Sequence, residues 1–137
     1  MRRFFADTFY WVALLMRRDL WHARVTAFSH TLTPADLVFS TDAVVLELLA
    51  TFSTTGPYLR QQAVARVEQM LSNPSMRLVE VTRPRLLEGL ALYKARPDKE
   101  YSLTDCISMQ VMRREGITDV LSNDHHFTQE GFRILFQ

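Results

Sequence analysis

Tyr101-Ser-Leu-Thr-Asp105-Cys-Ile-Ser-Met109, followed by Asp119-Val-Leu-Ser-Asn-Asp124-His-His-Phe127, is the stretch from which the fold can be read. Ser102 and Asp105 have the Ser-x-x-Asp spacing of a capping box, so a helix is expected to start here with Asp105 in its first turn. Gly116, after Arg113 and Arg114, is a left-handed stop for that helix. Val120 and Leu121 then read as a short buried strand, and Ser122-Asn-Asp124 as the turn at its carboxyl end. In open α/β sheets that edge is where ligands bind.

Outward from this stretch, strand and helix signals alternate. Arg3 to Ala6 is a strand ended by Asp7-Thr8, and Trp11, Leu14 and Leu15 then recur at helical spacing. A second helix is expected over 20–32, a strand over 37–40, and a third helix capped by Thr41 or Asp42 and running to about Thr54. Gly56-Pro57 stops it, a fourth helix follows to Ser72-Asn-Pro74, and 76–81 is the third strand. Thr82 with Pro84 opens a fifth helix, and after the Ser102 helix and the strand at 120–122 come a short turn past Asp124 and a closing strand over 132–136. Strands separated by helices of this length imply crossover connections, hence an α/β fold with a mainly parallel sheet covered on both faces.

At 137 residues and 47% hydrophobic, the chain suits a single domain spanning 1–137. A net charge of +1 announces neither nucleic acid nor an anionic membrane, so any anionic partner is met locally. All basic residues except Lys94 and Lys99 are arginine, the side chain better shaped for phosphate and carboxylate. The lone Cys106 lies among apolar residues and reads as a packed core thiol rather than a nucleophile. The apolar run at the start is broken at Asp7, and no stretch approaches the roughly 20 apolar residues of a membrane span. A reducing, cytoplasmic setting is expected.

Four acids stand out. Asp7 and Asp124 fall at carboxyl ends of strands and Asp105 in a helix's first turn. Asp7 and Asp105 have a plain structural reading as helix-start residues, stabilising by roughly 0.5 to 1 kcal/mol, and Asp124 as a turn residue. Glu47 lies within the third helix with Ala43, Val44, Ala50 and Thr51 around it, a small and apolar face. A carboxylate buried there needs neutralisation, a partner or a metal, whereas on a peripheral helix it simply reaches water. If the four converge, their repulsion raises pKa values and a divalent cation relieves it. All-oxygen ligands favour Mg²⁺ or Mn²⁺, and such clusters support phosphodiester cleavage.

Taken together, Phe5-Ala-Asp7-Thr, Val44-Val-Leu-Glu47-Leu, Ser102-Leu-Thr-Asp105-Cys-Ile-Ser-Met and Val120-Leu-Ser-Asn-Asp124-His-His-Phe127 resemble the acidic motifs of the PIN-domain family, in particular its VapC-like toxin ribonucleases. The resemblance covers the whole chain, and the last two motifs, 19 residues apart, are its most specific part. It implies a three-layer α/β/α sandwich and a metal-dependent endoribonuclease. Asp7, Glu47, Asp105 and Asp124 would be its catalytic and metal-binding residues, holding one or two Mg²⁺ or Mn²⁺ ions. It further implies Ser122 steadying a ligand carboxylate, RNA as substrate, a cognate antitoxin and a homodimer.

Other residues carry weaker readings. Asp98 is a fifth acid or an exposed turn residue. His125 and His126 replace the basic or acidic residue and Asp of many relatives; they could touch phosphate or metal, but read first as polar turn residues, since no other His lies at metal-ligand spacing. Lys99, Arg113 and Arg114 are candidates for RNA backbone contacts, and Phe9, Trp11 and Trp21 for base stacking or for the core. Two rivals remain. An aspartyl-phosphate phosphohydrolase needs a second acid two residues after the first, where this chain has Phe9. A PIN-like module that binds RNA or protein without turnover would keep the fold and lack metal-dependent cleavage.

Overall fold

Phe4, Phe5 and Ala6 have side chains that must leave water on both faces of a sheet, and they form the middle of its central strand. The computed structural model describes all 137 residues. Its strands are β1 (Arg3–Ala6), β2 (Leu37–Thr41), β3 (Met76–Val79), β4 (Asp119–Leu121) and β5 (Arg133–Ile134). The helices are α1 (Thr8–Leu15), α2 (His22–Ser29), α3 (Asp42–Thr51), α4 (Pro57–Ser72), α5 (Arg83–Ala95), α6 (Leu103–Glu115) and α7 (His125–Gln129).

The sheet runs in the order β3-β2-β1-β4-β5 and every pairing is parallel. Parallel neighbours need crossover connections, which are right-handed in nearly all proteins. The chain moves one way from β1 to β3, then returns to place β4 on the other side of β1. Helices α1 to α4 therefore pack with one another on one face, and α5 pairs with α6 on the other. The arrangement is a three-layer α/β/α sandwich. Strand order reverses between β1 and β4, where Phe5 pairs with Val120 and Ala6 with Leu121. A crevice opens at the carboxyl ends of strands on either side of such a switch. Asp7 and Ser122 are the next residues on these two strands.

The core beneath the crevice is dense. Phe5, Ala6, Val120, Leu121 and Phe127 are fully buried, and each large apolar side chain so buried stabilises by roughly 1.5 to 3 kcal/mol. An aromatic cluster of Phe9, Tyr10, Trp21, Phe28 and Phe136 ties α1 and α2 to the chain terminus, with ring centroids 5.7 to 6.5 Å apart. Asp36, buried before β2, accepts from the Arg2 amide at 2.9 Å and pairs with the Arg2 guanidinium at 2.8 Å, fixing the start of β1 to the start of β2.

Several boundaries differ from expectation for identifiable reasons. The second helix is shorter, because Asp19 Oδ1 takes the Trp21 amide at 2.8 Å and holds the preceding residues in a turn. The third ends at Thr51 and continues as a 3-10 turn over Phe52–Thr54 before Gly56 reverses at φ 93°. β3 stops at Val79, since the Val81 amide turns to Asp42 Oδ2 at 2.9 Å. The expected turn after Asp124 is a short helix. The closing strand is only Arg133–Ile134; beyond it the Phe136 amide still donates to the Ser122 carbonyl at 3.3 Å while its ring joins the aromatic cluster.

Candidate active site

Asp7 follows β1 and is only 7% exposed. Although it stands at the N-cap of α1, its side chain makes no capping hydrogen bond. Instead its Oδ2 accepts from the hydroxyl of Ser122, itself fully buried, at 3.0 Å. Burial pushes the Asp7 carboxyl up to about 7, and the negative charges of Asp105 and Glu47 add to the rise. The Thr8 amide and the Ser122 hydroxyl oppose it without offsetting it.

Glu47 lies on α3, half-buried, and its carboxylate accepts a short hydrogen bond from the Thr8 hydroxyl. That bond brings the α3 acid beside the β1 acid. Its partner is a hydroxyl and not a cation, so two carboxylates share this corner without a neutralising charge.

Asp105 is both a cap and a member of the cluster. Its amide donates to Ser102 Oγ at 3.0 Å and its Oδ2 accepts from the Ser102 amide at 3.0 Å, completing the capping box. Burial raises its pKa and so does the charge of Asp124, while the Ser102 amide and His126 lower it. Asp124 caps α7, accepting from the His126 amide at 2.9 Å, and its own amide donates to Ser122 Oγ at 3.1 Å. One serine therefore holds two of the acids, each from a different strand end.

His126 completes the group. Its Nδ1 stands 3.5 Å from Asp105 Oδ2 and 3.3 Å from Asp124 Oδ1. The candidate donor atoms of Asp105, Asp124 and His126 lie within 4.8 Å of one another, a spacing that suits a shared metal ion. No Lys or Arg pairs with Asp7, Glu47, Asp105 or Asp124; the Arg and Lys ion pairs use Asp36, Glu88, Asp98, Glu115, Asp119 and Glu130.

The remaining candidates fall elsewhere. Asp98 is an exposed turn residue 3.8 Å from Lys99. Arg113 is bound to Glu130 and Arg114 to Glu88, so neither is free for a phosphate in this arrangement. Trp11 is in the core, and Phe9 and Trp21 pack in the aromatic cluster. Cys106 is fully buried, its thiol pushed up to about 11 first by burial, which makes it unreactive. His125 is exposed. Sequence reasoning missed the position of His126: only the packing of α7 against the start of α6 carries it to Asp105, and no local pattern encodes that contact.

The model of the PIN-domain family matches residues 4–132, nearly the full chain. The chain belongs to the PIN-domain family. Members of this family are nucleases, and the fold is that of its VapC-like toxins. Among solved structures, the PIN domain resembles Mycobacterium tuberculosis VapC20, a sarcin-ricin loop cleaving toxin. The identity is 25% over 95% of this chain and 96% of that one, with a TM-score of 0.83. FitAcB from Neisseria gonorrhoeae is 18% identical over 97% and 96% of the two chains, with a TM-score of 0.73. VapBC2 from Rickettsia felis, solved with a DNA fragment from its promoter, is 11% identical over 96% of each chain, with a TM-score of 0.70. These last two identities establish a shared fold alone. A search of curated protein sequences gives no match. No helix of this PIN domain is long and apolar enough to cross a membrane.

Proposed function

We propose that this chain is a metal-dependent endoribonuclease, the toxin of a VapBC-type toxin–antitoxin pair, acting in the cytoplasm as one domain over residues 1–137. The observation that carries the reading is the convergence of Asp7, Glu47, Asp105 and Asp124 without a single Lys or Arg partner. Buried carboxylates left so are costly, and the raised Asp7 and Asp105 pKa values express that cost. The donor set fits a divalent cation: hard oxygen ligands and a deficit of positive charge.

Asp7, Asp105 and Asp124 would hold Mg²⁺ or Mn²⁺ directly, and Glu47 would bind it or orient water. The ion, when bound, supplies a water of lowered pKa and neutralises charge on the leaving oxygen. Ser122 orients Asp7 and fixes the turn carrying Asp124. Thr8 holds Glu47 over the same space. The cluster sits at the open end of the sheet, so an RNA strand can reach it from solvent.

Basic side chains free of ion pairs support RNA binding. Arg17, Arg18 and Arg66 line a groove between α1, α2 and α4 with His22 and His30, and no carboxylate lines it. This groove replaces Lys99, Arg113 and Arg114 as the surface for phosphates. The likeness to VapC20 makes structured RNA of the sarcin-ricin type the substrate to try first. The relatives solved as VapBC complexes support a cognate antitoxin as partner, and the protein is proposed to act as a homodimer.

Thermal denaturation with and without metal tests the site. Mn²⁺ or Mg²⁺ is expected to raise the Tm of wild type by several degrees and that of Asp105→Asn much less. Equal shifts in both proteins contradict the shared site.

A further inference from the structure

His126 is the residue in the cluster whose arrangement the four-acid reading leaves unexplained. Its Nδ1 is shielded from solvent and has no hydrogen-bond partner, although two carboxylate oxygens lie 3.3 and 3.5 Å away, out of line for a hydrogen bond. A buried polar atom left so costs roughly 1 to 3 kcal/mol and calls for an explanation. Donor atoms that converge without bonding one another are spaced as ligands around a common centre. Neighbouring ligands of an octahedral ion with bonds of about 2.1 Å lie roughly 3 Å apart.

The ring is also held in place. Its backbone amide is fixed by Asp124 Oδ1 at 2.9 Å. Its edge-on contact with Tyr101 places the ring centroids 5.4 Å apart. The Tyr101 hydroxyl donates to Glu130 Oε2 at 2.9 Å, and Glu130 is clamped by Arg96 at 2.9 Å and Arg113 at 2.8 Å. A solvated turn residue needs no such support, whereas a metal ligand commonly has it.

We infer that His126 is a nitrogen ligand of the metal, through Nδ1, beside Asp105 and Asp124. This rests on the metal-dependent reading above and extends it from an all-oxygen set to a mixed one. Imidazole binds first-row transition ions far better than Mg²⁺, so the site discriminates in favour of Mn²⁺. Tyr101 and Glu130 are positioning residues for the ring.

Pulsed electron paramagnetic resonance on the Mn²⁺-loaded protein reads the ligand directly. A ¹⁴N modulation from one directly bound imidazole is expected in wild type and in His125→Ala, and is lost in His126→Ala. Titration calorimetry is expected to show Mn²⁺ affinity falling about 10 to 100-fold in His126→Ala, with a smaller change for Mg²⁺. The wild-type spectrum decides even where the variant folds poorly. Saturable Mn²⁺ binding that depends on Asp105 but shows no ¹⁴N modulation overturns the His126 assignment and leaves the carboxylate site standing. Absence of saturable Mn²⁺ binding overturns both.

Discussion

Ser122 donates its hydroxyl proton to Asp7 Oδ2 at 3.0 Å, joining the end of β4 to the end of β1. Ser122 Oγ in turn accepts from the Asp124 amide at 3.1 Å. Ser122→Ala removes both bonds and leaves a part-buried amide and a buried carboxylate unsupported. Cleavage, read as kcat/KM, is expected to fall about 10 to 100-fold, with stability lowered by about 1 to 3 kcal/mol. Unchanged kcat/KM would mean that Asp7 needs no orientation from Ser122.

The metal-free protein is expected to lose stability as pH rises. Asp7 titrates at about 7 in the folded chain against an ordinary value of 3.8, chiefly through burial. A raised folded-state value means that the native state holds the proton more tightly. This contribution is fully present below about pH 4 and is lost as pH rises through about 7, on the order of a few kcal/mol in total. Urea melts in EDTA across that range should show the decline in wild type. Asp7→Asn should be flatter and more stable at pH 7.5, and parallel curves would contradict this account of the buried acid.

Glu130 carries the opposite sign. Burial alone would raise its pKa, but Arg96, Arg113 and the Tyr101 hydroxyl outweigh that and hold it down at about 2. Its stabilisation is complete above about pH 4.5 and disappears as pH falls through about 2. Glu130→Gln should cost about 1 to 2 kcal/mol at neutral pH, and little near pH 2. A cost that stays constant with pH would show the role to be steric.

Gly89 sets how closely α5 approaches α6. A Cβ there would lie 2.5 Å from Ile107 Cγ1 and 3.1 Å from the Ile107 backbone nitrogen, so backbone as well as side chain must move. Gly89→Ala should destabilise by roughly 1 to 3 kcal/mol despite the better helix propensity of alanine. Since α6 carries Asp105, metal affinity should fall as well. A stabilised variant would show that the two helices separate easily.

The sequence made some features legible because they are local. The capping box at Ser102 and Asp105, the left-handed Gly116 and the buried Phe4-Phe5-Ala6 strand depend on neighbours a few residues away, and all appear where expected. Tertiary choices were not legible in the same way. Strand β3 ends early because Asp42, far off in sequence, takes the Val81 amide. The pairing of Arg113 and Arg114 with Glu130 and Glu88 comes from helix packing, and it withdraws two cations that look free on a helix end. His126 reaches Asp105 only when α7 folds against α6. The sequence allows Asp105 to be a cap or a member of the acid cluster, and the geometry provides both through one oxygen, since Oδ2 accepts the Ser102 amide and also stands 3.5 Å from His126 Nδ1.

The most direct measurement is cleavage of structured RNA, including a sarcin-ricin stem-loop, by wild type and Asp7→Asn in Mg²⁺, Mn²⁺ or EDTA. Cleavage by wild type that EDTA abolishes, with Asp7→Asn slower by at least about 100-fold, is the predicted result. Cleavage that persists in EDTA or in Asp7→Asn, or RNA binding without any cleavage, would contradict the account.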